Sequence, residues 1–112
     1  MIHQLRIYEI FEHNKAAFHE RFSKHALRIW QPYGFKLVAA WESQNEGWTE
    51  FIYLLEWPDE ATMRRAWERF RGDEEWTEIK RVMNAQYGEL VGKIDEKVLT
   101  PTDYSPVIQP DQ

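Results

Sequence analysis

Residues 48–57 read Trp-Thr-Glu-Phe-Ile-Tyr-Leu-Leu-Glu-Trp and run directly into Pro58-Asp59-Glu60-Ala61. Aromatic and branched residues fit a pleated, packed surface, so the stretch is the strongest strand in the chain. Side chains alternate along a strand, which sends Phe51, Tyr53, Leu55 and Trp57 to one face and Ile52 and Leu54 to the other. Both faces are therefore apolar, and each needs a cover. Pro58 stops the strand, and Asp59 supplies the cap of a following helix.

Working outward, residues 43–47 (SQNEG) predict a turn, and residues 35–42 (FKLVAAWE) a strand before it. At the start of the chain, residues 2–10 (IHQLRIYEI) set Leu5 and Ile7 against Arg6, Tyr8 and Ile10, which predicts another strand. Between these strands, Asn14 can cap a helix running to about residue 31. Its stripe is Phe18, Phe22, His25, Ala26 and Ile29, with Pro32 and Gly34 ending it. Downstream of Asp59, Met63, Ala66, Trp67 and Phe70 form a second apolar helix face, with Glu60 and Arg64 placed to pair outside. Gly72 closes that helix and Asp73 caps a third, whose stripe is Trp76, Ile79, Met83 and Tyr87, ended by Gly88. Residues 90–99 (LVGKIDEKVL) predict a last strand, although Gly92 and the run Asp95-Glu96-Lys97 weaken its pattern.

The order β-α-β-β-α-(α)-β is the ferredoxin-like arrangement, an α+β fold with a four-stranded antiparallel sheet and helices on one face. One domain, residues 1–100, carries it. Residues 101–112 form an extended tail, since Pro101, Pro106 and Pro110 forbid a ladder. Tyr104, Val107 and Ile108 are too apolar for a discarded end, so the tail is expected to dock with Tyr104 as its anchor. The sheet face opposite the helices has no cover within the chain. An exposed apolar sheet of that size marks an interface, so the expected assembly is a homodimer through the helix-free face.

Composition narrows the function. Six Trp, five Tyr and six Phe make 15% of 112 residues, a surplus suited to a ring-lined cavity or a buried subunit interface. The net charge of −5, with no basic run, argues against nucleic-acid binding. The chain has no cysteine, which removes disulfides, thiolate catalysis and Cys-type zinc sites. The absence of a leader-like start or a long apolar stretch predicts a cytoplasmic protein with no membrane partner.

The opening LRIYEI strand with its F-x-x-x-F-x-x-HAL helix, the EFIYLLEWPDEA junction, the FRGDEEW segment and the closing LTPTDYSP together resemble a NIPSNAP domain over nearly the whole chain. The resemblance implies membership of the dimeric α+β barrel superfamily, in which two ferredoxin-like sheets face each other across a two-fold axis. It brings little biochemistry, because many bacterial members are uncharacterised. The eukaryotic members carry extra sequence that this short chain lacks, so their mitochondrial and trafficking associations do not transfer.

His25 is the leading candidate for chemistry. On a regular helix it falls near the centre of the Phe18–Phe22–Ile29 stripe, where an imidazole can serve as general base, haem ligand or hydrogen-bonding group. A core histidine bonded to a backbone carbonyl is the plainer alternative. Arg6 and Tyr8 point together from the first strand and can present a cation and a phenol to an anionic or carbonyl-bearing ligand inside the barrel. Their plainer role is an interface ion pair with Glu42, Glu50 or Glu56. Phe18, Phe22, Ile29 and Tyr53 complete the expected ligand-lining set.

No metal site is expected, since His19 and His25 are six residues apart and project apart. No cofactor is expected either. Three functions remain: a homodimeric module that binds a small apolar or aromatic ligand or a protein; a cofactor-independent monooxygenase, lyase or isomerase using His25 with Tyr8 or Tyr53; and haem binding through His25. Enzyme activity stays open at this point, and so do the identity of any ligand and the pathway served.

Overall fold

The computed structural model describes residues 1–106. Four strands, β1 (Ile2–Ile10), β2 (Leu37–Asn45), β3 (Trp48–Trp57) and β4 (Val91–Leu99), form one sheet in the order β2-β3-β1-β4 with every pair antiparallel. Three helices cover one face: α1 over residues 15–30, α2 over Glu60–Arg71 and α3 over Glu74–Tyr87. This is the expected α+β, ferredoxin-like order, with β1 and β3 at the centre.

The alternation in β3 fixes the layers. Thr49, Phe51, Tyr53, Leu55 and Trp57 are buried beneath the helices, while Ile52 and Leu54 lie half-buried on the open face. The helix-side core is a continuous stack of rings. Phe22 lies 4.8 Å from Phe51, Phe18 lies 5.0 Å from Phe51, and Trp30 stacks on Phe35 at 4.7 Å, centroid to centroid. Edge-to-face and offset contacts at these distances add to area burial. Much of the aromatic surplus therefore packs ring against ring.

Three local readings change. The turn between β2 and β3 is Glu46-Gly47 alone, because the ladder continues through Gln44↔Thr49 and Asn45↔Trp48, with Gly47 at φ +93°. A two-residue hairpin with glycine at positive φ matches the twist of paired strands, so Ser43–Asn45 joins β2. Asn14 makes no side-chain cap for α1; its amide donates to the carbonyls of Tyr87 (3.0 Å) and Glu89 (2.7 Å), tying the start of α1 to the end of α3. Finally, α1 is not regular. Lys15–Glu20 and Leu27–Trp30 are α-helical, but Arg21–Ala26 forms a π turn, which widens the helix.

The caps at Asp59 and Asp73 hold as expected, accepting from the backbone N–H of Thr62 (2.7 Å) and Trp76 (2.8 Å). Met63, Ala66, Trp67 and Phe70 are buried as the α2 face, and Arg64 pairs with Glu60 at 3.0 Å. The open sheet face carries Leu5, Ile7, Ile52 and Leu54 at its middle, with Trp41 (50% exposed), Trp48 (43%) and Leu99 (38%) around them. Thr100, Pro101, Thr102, Ser105 and Pro106 line a cleft at one end of this face, and Tyr104 is 84% exposed. Val107 and Ile108 lie outside the described residues. Among the described residues, no helix is long and apolar enough to cross a membrane.

Candidate functional site

β1 sends Gln4, Arg6 and Tyr8 to the helix side, because they share parity with the buried Ile10. Register with β3 sets Arg6 opposite Tyr53, and register with β4 sets it opposite Glu96. Three strands thus converge on one guanidinium. Arg6 donates from Nη2 to the Tyr8 hydroxyl (3.0 Å), from Nε to the Tyr53 hydroxyl (3.1 Å) and from Nη1 to Glu96 Oε1 (2.8 Å). Its guanidinium carbon lies 4.2 Å from the Trp67 ring centroid, so a cation sits on an indole face. The Arg6 side chain is 12% exposed.

The two phenol oxygens are 2.6 Å apart, so one donates to the other. Burial pushes the Tyr53 phenol well above its ordinary value, reinforced by the neighbouring Tyr8 and only partly opposed by Arg6. Burial acts to lower the Arg6 pKa, but the phenols and Glu96 outweigh it and raise it above the usual arginine range. The pocket therefore keeps a permanent cation beside a phenol that stays protonated.

Arg6 donates to both hydroxyls, and one hydroxyl donates to its partner. The second O–H donates to no group among the described residues. Tyr53 is fully buried and Tyr8 is half-buried, so Tyr8 is the group placed to offer that proton outward.

Gln4 supports the cluster from below and was not singled out by sequence reasoning. It is 1% exposed, and its Oε1 accepts from the indole N–H of Trp57 (2.9 Å) and of Trp67 (2.8 Å), while its amide donates to Glu96. Its only sequence signal was a polar residue at a core parity of β1. Glu96 was likewise hidden, inside the charged run that weakened the β4 pattern. Arg6 pairs with Glu96 of its own chain, not with Glu42, Glu50 or Glu56. Glu42 instead binds His19 (2.5 Å) and Lys15 (3.3 Å), and the His19 hydrogen bond holds its carboxyl below the usual range.

Phe18, Phe22, Ile29 and Tyr53 are buried together, and Tyr8 meets Phe18 edge-on at 6.1 Å. His25 stands apart. The π turn rotates it off the stripe, so Ala26 takes the buried position and His25 is half-buried. Its Nδ1 lies 3.5 Å from Arg28 Nη2, and it lines a cleft of about 400 Å³ against α3 with Ile79, Val82 and Met83. Among the described residues, no group of His, Cys, Asp and Glu is placed to hold a metal ion.

Strand order, helix placement and the aromatic core define a ferredoxin-like α+β domain of the kind built around one helix-covered sheet. The NIPSNAP family profile matches residues 3–106, and the chain belongs to that family. It is similar to an uncharacterised NIPSNAP-like domain protein from Burkholderia xenovorans, at 23% identity over 97% of this chain and 91% of that one, with a TM-score of 0.77. A NIPSNAP family protein from Agrobacterium tumefaciens matches at 17% identity over 95% and 97%, with a TM-score of 0.79. More distantly, a monooxygenase from Streptomyces coelicolor, solved with nanaomycin D, shares 12% identity over 95% and 91%, with a TM-score of 0.58. No functionally curated protein matches the chain.

Proposed function

We propose that this chain is a homodimeric binding module that closes two helix-free sheet faces together and takes a small aromatic ligand bearing a carbonyl or carboxylate beside Arg6. The observation that carries the ligand reading is the leftover Tyr8 O–H next to a buried guanidinium. A carbonyl or carboxylate oxygen is the acceptor that this donor pair lacks, and acceptors matched to buried donors discriminate strongly. The approach runs along the helix side of β4, where Ile94 (48% exposed) and Val98 (41%) stand uncovered on either side of Glu96. The dimer reading is supported by Trp41, Trp48 and Leu99, exposed around an apolar sheet centre.

A Streptomyces coelicolor monooxygenase of similar fold, solved with nanaomycin D, supports a small-molecule ligand for this fold. An oxygenase, lyase or isomerase using His25 is less favoured, because His25 faces α3 and Arg28 rather than the phenol pair.

Two measurements test the reading. Sedimentation equilibrium should give a dimer at micromolar concentration. Titration with benzoate and with 1,4-naphthoquinone, followed by tryptophan fluorescence, should show saturable binding that Tyr8→Phe weakens about tenfold or more. Absence of saturation with both probes, together with no co-purified small molecule in native mass spectrometry, would remove the ligand reading.

A further inference from the structure

A second arginine stands near the Arg6 cluster with its charge unanswered. Phe18 meets Tyr8 edge-on, and Arg21 follows three residues later on the same flank of α1. Arg21 is half-buried, yet its side chain makes no hydrogen bond or ion pair among the described residues. Its guanidinium carbon lies 5.6 Å from the Trp76 ring centroid, and Lys80 Nζ lies 6.0 Å from the same ring. Lys80 is also half-buried and has no ion pair among the described residues. Two cations thus share one indole in a chain of net charge −5. Burial lowers the Arg21 pKa and the Tyr8 hydroxyl acts against that, but a guanidinium stays charged either way. A partly buried charge without a counter-charge is costly, and an incoming anion would offset that cost.

The two arginines belong to one surface. Arg6 lies on the Trp67 ring and Arg21 on the Trp76 ring, and Phe70 meets both indoles, at 5.9 and 4.9 Å. Arg21 and Lys80 line a cleft of about 210 Å³ with Asn84, Leu90 and Val91, while Glu89, also on its wall, pairs with neither cation. Val91 leads from this cleft onto the helix side of β4, since it sits opposite Ile10 and Ile94 sits opposite Tyr8. An apolar strip of β4 therefore joins the Arg21 cleft to the Tyr8 hydroxyl. The π turn of α1 starts at Arg21, and such widened turns are rare and concentrate at functional sites.

We propose that Arg21 and Lys80 hold a carboxylate of the ligand whose carbonyl oxygen meets Tyr8, which makes the ligand an aromatic oxo acid lying along β4. This rests on the ligand reading above and deepens it. Charge decides which end goes where. Arg6 is already neutralised by Glu96 at 2.8 Å, so the Arg6–Tyr8 end suits an uncharged carbonyl. Arg21 and Lys80 have no such partner, so their end suits the anion, with the Asn84 amide as a further donor on the cleft wall.

The test compares 3-benzoylpropionate with its methyl ester, two probes that differ by one charge, titrated into the full chain with tryptophan fluorescence as the readout. The acid is expected to bind about tenfold or more tighter than the ester, with an affinity that falls as salt rises while the ester's does not. Arg21→Gln should lower the acid's affinity about tenfold and leave the ester's unchanged. Lys80→Gln should act in the same direction, so the outcome does not hang on how α1 tolerates a change at Arg21. Tyr8→Phe should weaken both probes alike. Equal affinities for acid and ester, or an acid preference that survives both Arg21→Gln and Lys80→Gln, overturn the carboxylate site while Tyr8-dependent binding stands. Binding of neither probe, or binding that ignores Tyr8→Phe, overturns the ligand reading and the oxo acid with it.

Discussion

Replacing Gln4 by leucine removes the one acceptor shared by two buried indoles. The side chain is 1% exposed, and its Oε1 takes the N–H of both Trp57 (2.9 Å) and Trp67 (2.8 Å), in a core where both rings are buried. An unsatisfied buried donor costs about 1–3 kcal/mol, so the two lost bonds cost about 2–6 kcal/mol. The leucine returns part of this, up to about 1.5–3 kcal/mol for a well-buried side chain of similar volume. The expected net loss is about 2 kcal/mol, a large share of a domain's usual 5–15 kcal/mol. Urea unfolding followed by tryptophan fluorescence should show a lower midpoint with an unchanged slope. The perturbation should spread to function, because Trp67 is the ring beneath Arg6 and Gln4 also holds Glu96. Binding of the benzoate probe should weaken along with stability. A Gln4→Leu protein within 0.5 kcal/mol of wild type would refute the claim that the two indole donors depend on this residue.

Leu54→Glu puts a carboxylate into the proposed interface, where an unpaired charge costs several kcal/mol, so sedimentation should show monomer while circular dichroism stays native. The folded Tyr53 phenol has a raised pKa, so its contribution is complete below the unfolded value near 10 and falls as pH rises toward the folded value; Tyr53→Phe should flatten that alkaline limb in unfolding curves. The Tyr33 hydroxyl (2.6 Å) and the Trp76 N–H hold the Asp73 carboxyl low. Its contribution is therefore complete above the unfolded value near 3.9 and is lost as pH falls through the folded one, so Asp73→Asn should unfold with a shallower acid limb.

What could be read from residues alone follows physical range. The β3 alternation, the α2 face and the caps at Asp59 and Asp73 are local, decided within a few positions, and they stand in the fold as expected. Parity sets Arg6 and Tyr8 together on one side of β1, but that side lies beneath the helices with Tyr53, not inside a barrel between two sheets. The rest needed register. Glu96 reaches Arg6 only because β4 lies beside β1, and Gln4 becomes an acceptor only when Trp57 and Trp67 arrive from separate elements. His25 went astray for a different reason. A regular helical phase does not hold through Arg21–Ala26, where the helix widens, and periodicity has no signal for an inserted residue. Asn14 shows the same limit, since its carbonyl partners lie more than seventy positions away.

The run Asp95-Glu96-Lys97, which blurred the strand pattern of β4, has a consequence for behaviour at high concentration. β4 is an outer strand of the sheet, and its exposed residues include Lys93, Asp95, Glu96 and Lys97. A second chain adding as a fifth strand would have to desolvate this mixed row of charges. The opposite edge, β2, carries a register break between Leu37 and Ala39, which twists its free backbone away from a straight partner. Neither rim is a clean template for sideways growth. Encounters between unpaired copies are thus steered away from open-ended ribbons.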